Sequence, residues 1–343
     1  MNILAIESSC DETGIAVLVV KGQTFKVLAN LVVSQIDFHK KYGGVVPEVA
    51  ARKHMENILP LLDQALTASK LKIKDIDVIA AVKGPGLITS LIVGLETAKT
   101  LSFTLNKPLI GVNHIHAHIA ANWISGQAGK IKNIKLPAIC LVVSGGHTML
   151  VIIKKLGQYK IVGQTRDDAV GEAFDKVAKV LDVGYPGGPI ISQMAVNTDK
   201  DYFKLPRPMI NSGDLDFSFS GLKTAVLDAW AHERFKDKDN KKKMAAAFQQ
   251  ACIDVLISKT LKAAQQFKVK SVLMGGGVTA NKELRKQLEE AVKTQLTKVE
   301  FHQPDLNLTT DNALMVAIAG YFDCLAKKKD DFKKIKVDPN LSL

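Results

Sequence analysis

A run of strand, polar turn, strand and strand, followed by alternating helices and strands, occurs twice in this chain, and that repetition limits the fold more than any other feature. Apolar residues occupy 2–6, 14–20 and 26–33, with a polar turn at 8–13; short apolar runs bounded by turn residues read as strands. A helical pattern over 48–69, a strand at 78–82, a helix over 87–105 and a strand at 109–112 follow. After a looser stretch at 125–136, the opening pattern returns as a strand at 138–143, a Ser144-Gly145-Gly146-His147 turn, and strands at 148–153 and 159–162. Further helices, a strand at 271–274, a helix from Thr279 and a last helix over 311–326 complete the chain. This order predicts two hairpin-led α/β halves with a cleft between them. The expected lobes are 1–130 and 131–310, with 125–136 as the hinge and the helix at about 311–326 able to pack back onto the first lobe.

Glycines mark three turns suited to anions. Ser144-Gly145-Gly146 lacks side chains where a phosphate would approach, while Gly275-Gly276-Gly277 and Lys83-Gly84-Pro85-Gly86 each stand before a helix, where amides and dipole favour negative charge. Each also has a plain reading as a turn; together they favour phosphate binding. None fits G-x-x-x-x-G-K-[ST] or the dinucleotide fingerprint, which excludes a P-loop or Rossmann enzyme.

Between the first and second hairpins lies His114-Ile115-His116-Ala117-His118. On a helix, His114 and His118 are one turn apart on the same face and could hold one divalent ion, with His116 pointing elsewhere. Ile115, Ile119, Ala120 and Trp123 continue at helical spacing, which favours the helix over a strand. Two imidazoles do not complete a site, so a third, acidic ligand must come from afar. Ordinary hydrogen-bonded histidines remain the alternative. Candidate acids are Asp11 and Glu12 in the first turn, Asp175 after Gly171-Glu172-Ala173-Phe174, and Asp311 at the start of the last helix. Each has a structural alternative: turn acids facing water for Asp11 and Glu12, a pair with Lys179 for Asp175, a helix cap for Asp311.

The chain has 343 residues, 47% hydrophobic and 23% charged, enough for two globular domains. Its formal charge of +12 leans toward a polyanionic partner such as RNA. Cys10, Cys140, Cys252 and Cys324 form no C-x-x-C pair, which argues against a zinc ribbon or disulfide framework. The first residues reach Glu7 without a basic region, and no apolar run is long enough to span a bilayer, so the expectation is a cytoplasmic protein that does not enter the membrane.

Glu7-Ser8-Ser9-Cys10-Asp11-Glu12-Thr13, Gly43-Gly44-Val45-Val46-Pro47-Glu48, Lys83-Gly84-Pro85-Gly86, Asn113-His114-Ile115-His116-Ala117-His118, Ser144-Gly145-Gly146-His147, Tyr185-Pro186-Gly187-Gly188-Pro189, Phe217-Ser218-Phe219-Ser220-Gly221-Leu222-Lys223 and Gly275-Gly276-Gly277-Val278, in that order, resemble the TsaD (YgjD or Gcp) family. The resemblance runs from Met1 to about the last helix; the lysine-rich tail after Ala326 matches nothing in it. It implies the actin/Hsp70/sugar-kinase (ASKHA) duplicated two-lobe fold with an interdomain nucleotide cleft. It also implies transfer of a threonylcarbamoyl group from threonylcarbamoyl-AMP to N6 of adenosine 37 in tRNAs reading ANN codons. By the same likeness, His114, His118 and Asp311 would hold one divalent metal per subunit, Fe2+ with Zn2+ as the alternative. Val142, Val143, Ser144, Gly145, Gly146, Asp175, Gly188 and Asn281 would contact substrate. TsaB- and TsaE-type partners and a TsaC-type synthase that supplies the intermediate are implied with it.

An exocyclic adenine amine is a weak nucleophile, so the acyl donor must be activated; a mixed anhydride with AMP as leaving group does this. Loop amides would hold the AMP, and Glu12, beside Asp11, is the candidate for taking up the amine proton. Adenosine 37 lies in a loop, reachable without opening a duplex. Lys40-Lys41 and Lys241-Lys242-Lys243 are candidate backbone contacts. Two rival readings are a metallopeptidase, for which the H-E-x-x-H glutamate is missing between His114 and His118, and a non-catalytic ATP-dependent switch on the same fold.

Overall fold

The computed structural model describes residues 1–343. They form two compact units, residues 1–134 with 304–343, and residues 135–303. No helix is long and apolar enough to cross a membrane.

The first unit is built on a six-stranded sheet. Strands β1 (Asn2–Glu7), β2 (Glu12–Lys21) and β3 (Thr24–Ser34) form an antiparallel meander. Strands β4 (Val78–Gly84) and β5 (Leu109–Asn113) join parallel to β1, and β6 (Ala128–Lys130) pairs with the outer edge of β3, giving the order β5-β4-β1-β2-β3-β6. The stretch expected to be loose at 125–136 therefore contributes a strand. Its sequence is too polar to announce one, and all three of its residues are exposed at the sheet edge.

Helix α1 (Ile36–His39) is one turn; α2 (Pro47–Ser69) and α3 (Ile88–Leu105) are the long helices of this unit. Ala50, His54, Ile58, Leu61, Leu62 and Ala65 make the buried stripe of α2, recurring at three- and four-residue intervals. α4 (His114–Ala120) is short, is capped by Asn113, and is buried along its whole length. Those seven residues have the helical form their spacing predicts.

The second unit repeats the topology. β7 (Ala138–Val143), β8 (Thr148–Lys155) and β9 (Gln158–Gln164) form the meander, with β10 (Ser271–Gly275) and β11 (Glu300–His302) parallel to β7, in the order β11-β10-β7-β8-β9. Position by position this is the order of the first sheet without its sixth strand. The unit also carries α5 (Val170–Val180), α6 (Gly187–Met194), α7 (Ser220–His232), α8 (Lys238–Gln266) and α9 (Lys282–Gln295). Its core joins β7 and β8 to Phe174, Phe217, Phe219, Phe248 and the apolar faces of α8 and α9.

The last helix, α10 (Ala313–Leu325), belongs to the first unit and packs on β1, β2 and α4. Expected to begin at Asp311, it begins two residues later. Asn312 is its cap, accepting from the Met315 N–H at 3.1 Å, so Asp311 stands outside the helix and is not its cap.

The lysine-rich tail after Ala326 is an ordered strap. Asp330 pairs its backbone N–H with the Leu109 carbonyl and accepts from the Gly111 N–H at 2.8 Å. Ile335 is buried, Asp338 N–H donates to Lys83 O, and Gly86 N–H donates to Pro339 O. The strap thereby covers the exposed edge of β5. It also overturns one expectation: Lys83-Gly84-Pro85-Gly86 is no phosphate loop. Gly84 (φ +150°) lies so close to Asp338 that a Cβ there would overlap its carbonyl, and the Gly86 amide is already engaged by the strap.

Candidate functional site

In the first unit, three side chains from distant parts of the sequence converge. His114 and His118 project from one face of α4, and Asp311 comes from the turn before α10. His118 Nε2 lies 3.1 Å from His114 Nε2 and 3.2 Å from Asp311 Oδ1, and His114 Nε2 is 3.6 Å from the same oxygen. Metal bonds of about 2.1 Å put two donor atoms on one ion roughly 3.0–3.4 Å apart. Two of the three separations fall in that range and the third lies just beyond it, close enough for the three atoms to share one ion after a small shift. His116 turns away, with Nδ1 3.7 Å from Asp323 Oδ2 on α10, and burial outweighs that carboxylate to bring its pKa down to about 4.

Behind the triad stands Glu7, at the end of β1 and fully buried. Its Oε2 is 3.3 Å from His114 Nδ1, and its Oε1 accepts from the Ser9 N–H at 2.7 Å. Ser9 Oγ is 3.2 Å from the same imidazole nitrogen. With Nδ1–H donating to Glu7, His114 presents Nε2 as a lone pair toward Asp311 and His118. Burial alone would lower the His114 pKa, but Asp311 and then Glu7 outweigh it and raise it to about 9. His118 has no equivalent support, since its buried Nδ1 has no hydrogen-bond partner.

The acidic turn beside the triad is held by a second buried histidine. His54 accepts from Thr13 through Nδ1 at 2.8 Å and donates from Nε2 to the Cys10 carbonyl at 3.0 Å, which also takes a bond from Ser90 Oγ. Burial depresses the His54 pKa, so the ring is neutral, as this pattern requires. The turn fixes Asp11 and Glu12. Burial, then the charges of Asp311 and Asp11, hold the Glu12 carboxyl well above the usual range.

In the second unit, the Ser144-to-His147 turn is closed by Ser144 N–H donating to His147 O and by Ser144 Oγ accepting from His147 N–H. Gly145 and Gly146 are exposed, their amides make no hydrogen bond within the protein, and a Cβ on either would meet open space. Gly276, with φ +92°, passes so close to Val143 O that no side chain fits there. Val142 and Val143 have fully buried side chains in the sheet, so of the expected segment only Ser144, Gly145 and Gly146 face outward. Asp175 accepts from the Gly187 N–H at 2.6 Å, fixing the start of α6, where Gly188 is open to an approaching group. Asn281 caps α9 by accepting from Glu283 and Leu284 N–H, and it donates to Gln249 Oε1.

Residues 26–318 match the family described as TsaD: tRNA N6-adenosine threonylcarbamoyltransferase. The chain belongs to the TsaD family. A Clostridium botulinum protein named tRNA N6-adenosine threonylcarbamoyltransferase is 46% identical over 344 residues, covering 100% of this chain and 98% of that protein. A Thermosipho africanus protein of the same name is 48% identical over 323 residues, covering 94% of each. Among solved structures, full-length HypF in its phosphate- and nucleotide-bound form superposes with a TM-score of 0.61 at 13% identity over 95% of this chain and 47% of HypF. The ADPNP-bound activator of 2-hydroxyisocaproyl-CoA dehydratase from Clostridium difficile gives a TM-score of 0.53 at 14% identity over the whole of both chains. At such identities these two likenesses show the fold alone, and it is the ASKHA type.

In this TsaD chain the donor set suits a divalent ion: two imidazole nitrogens and one carboxylate. The sequence motifs carry the ligands but not their support. Glu7 closes a run of apolar residues in β1, where nothing but the motif string Glu7-Ser8-Ser9 singles it out. Asn113 stands in its motif string without any sign of its role. Its Oδ1 accepts from the Ile115 and His116 N–H groups, capping the helix that bears both histidines, while its Nδ2 donates to Ser342 O at 3.2 Å.

Proposed function

We propose that the chain transfers the threonylcarbamoyl group from threonylcarbamoyl-AMP to N6 of adenosine 37 in tRNAs reading ANN codons. The observation that carries this reading is the convergence of His114, His118 and Asp311 in a chain of the TsaD family. The N6 amine attacks the carbamoyl carbon, the bond from that carbon to the phosphate oxygen breaks, AMP departs with the electron pair, and N6 loses one proton.

His114, His118 and Asp311 hold one divalent ion, Fe2+ with Zn2+ as the alternative. When bound, that ion acts as a Lewis acid toward donor oxygens. The amides of Gly145 and Gly146, which make no hydrogen bond within the protein, donate to the phosphate oxygens, with Ser144 fixing the turn and Gly188 leaving room at the start of α6. Asp175 and Asn281 serve substrate binding in the second unit, one by ordering the start of α6 and the other by capping α9. Glu12 accepts the amine proton: burial, and then the charges of Asp311 and Asp11, make it a stronger base than a solvated carboxylate. Asp11 sets the charge around it.

TsaB- and TsaE-type proteins act as partners, and a TsaC-type synthase supplies the intermediate. A tRNA acceptor places the work in the cytoplasm. The deciding experiment is transfer from preformed threonylcarbamoyl-AMP to unmodified tRNA, with the partner proteins present and with each omitted. Modification that depends on this chain is expected; modification of equal extent without it refutes the reading.

A further inference from the structure

We propose that the strap segment 327–336 is a phosphate-backbone surface for the tRNA acceptor, a step that rests on the transfer reading above. Six of its ten residues are lysine, against two aspartates. All six, Lys327, Lys328, Lys329, Lys333, Lys334 and Lys336, are exposed. Lys328 pairs with Asp323 and Lys333 lies over the Phe332 ring, but Lys327, Lys329, Lys334 and Lys336 have no ion pair. The segments that sequence alone suggests are less free: Lys40 is tied to Asp37 and Lys243 to Asp239.

The lysines are also held in place. Asp330 is fastened to β5 through Leu109 and Gly111, Phe332 packs on Phe103 with ring centroids 5.4 Å apart, and Ile335 is buried. The two apolar residues of the segment thus face inward, leaving no apolar face for a membrane to take up. What faces solvent is a row of hydrated point charges, the chemistry that neutralises phosphates without reading bases.

The row lies near the metal ligands. Gly111, which holds Asp330, is three residues before His114, at most about 11 Å away along the chain. Lys336 is five residues before Leu341, whose carbonyl lies 3.5 Å from Asn113 Nδ2, a separation of at most about 18 Å. A strand offers a phosphate about every 3.4 Å of helix axis. A base delivered to the triad therefore brings phosphates of neighbouring nucleotides within reach of the strap.

The test uses the full chain with its partner proteins and the quadruple variant K327Q/K329Q/K334Q/K336Q. Binding of an unmodified tRNA transcript is measured across 50–200 mM KCl. Affinity should fall on the order of tenfold or more at 100 mM, with the slope of log K against log salt shallower by about 0.7 for each lysine that sits on a phosphate. Transfer kcat at saturating tRNA should be unchanged, and the four-fold Lys→Arg variant should bind as wild type, which also guards against a folding artefact. Unchanged affinity and slope in the glutamine variant overturn the proposal, as does a loss confined to anionic vesicles or an acidic protein. If the wild-type chain transfers to no tRNA, the functional reading itself fails, and that result is separate from the variant's behaviour.

Discussion

Replacing Glu7 by Gln should cost the triad most of its hold on a metal while leaving the fold in place. Glu7 makes two bonds, one to the Ser9 N–H at 2.7 Å and one at 3.3 Å to His114 Nδ1. A carboxylate accepts both. A glutamine can accept only through its oxygen; if the oxygen stays with Ser9, the amide presents N–H to His114 and forces Nδ1 to accept. The imidazole proton then moves to Nε2, the atom facing Asp311 and His118, and blocks coordination.

Loss of such a carboxylate–histidine contact lowers metal affinity by about 10- to 100-fold, or about 1.4–2.7 kcal/mol. Anaerobic Fe2+ or Co2+ titration against a competing chelator reads this directly, with thermal unfolding of the apoprotein as the control for folding. Glu7→Asp, which keeps the charge but shortens the reach, should fall between Gln and wild type. A Glu7→Gln protein that binds metal within twofold of wild type would refute the reasoning, because His114 would then need no orienting partner.

Metal binding should also depend on pH. With the His114 pKa raised to about 9, the ion must displace a proton, so apparent affinity should drop about tenfold per pH unit below 9 and level off above it; titration from pH 6.5 to 9.5 checks this. His54 gives a stability effect of opposite origin. Its folded pKa is depressed by burial, so its contribution is full above the unfolded value of about 6.5 and shrinks as pH falls below it, when the unfolded chain takes the proton first. His54→Gln keeps a donor for Cys10 O and an acceptor for Thr13, and should flatten the decline in urea midpoint between pH 7 and 5. Gly84→Ala should destabilise by about 2 kcal/mol or more by driving a methyl group into Asp338, whereas Gly44→Ala, with open space around its Cβ, should stay within about 0.5 kcal/mol in the same urea assay.

The elements that the sequence made legible are those whose information is local. The two meanders announce themselves by apolar runs broken at polar turns, and the sheets have matching strand orders. His114 and His118 are readable because i and i+4 share a helix face whatever the tertiary structure does. Asp311 is different. Its partners are nearly two hundred residues away, and the local rules gave it a capping role that Asn312 in fact fills. Only the family resemblance pointed to it as a ligand. The misread glycine loop has the same cause. Lys83-Gly84-Pro85-Gly86 has the composition of an anion cradle, but a segment more than two hundred and fifty residues later occupies its Gly86 amide.

Glu7 shows why a site's supporting residues are harder to see than its ligands. Every other residue of β1 past Asn2 is apolar and buried, and a charge at the end of such a strand reads as the place where it emerges into water. Instead it is buried with the rest. A fully buried carboxylate is stable only when donors satisfy it, and Glu7 accepts from the His114 ring and from the Ser9 amide. Desolvation that would be a liability elsewhere here fixes one tautomer of one ring. The same burial that hid Glu7 from sequence reasoning is thus what lets it orient His114, because an exposed glutamate would be screened by water and free to turn away.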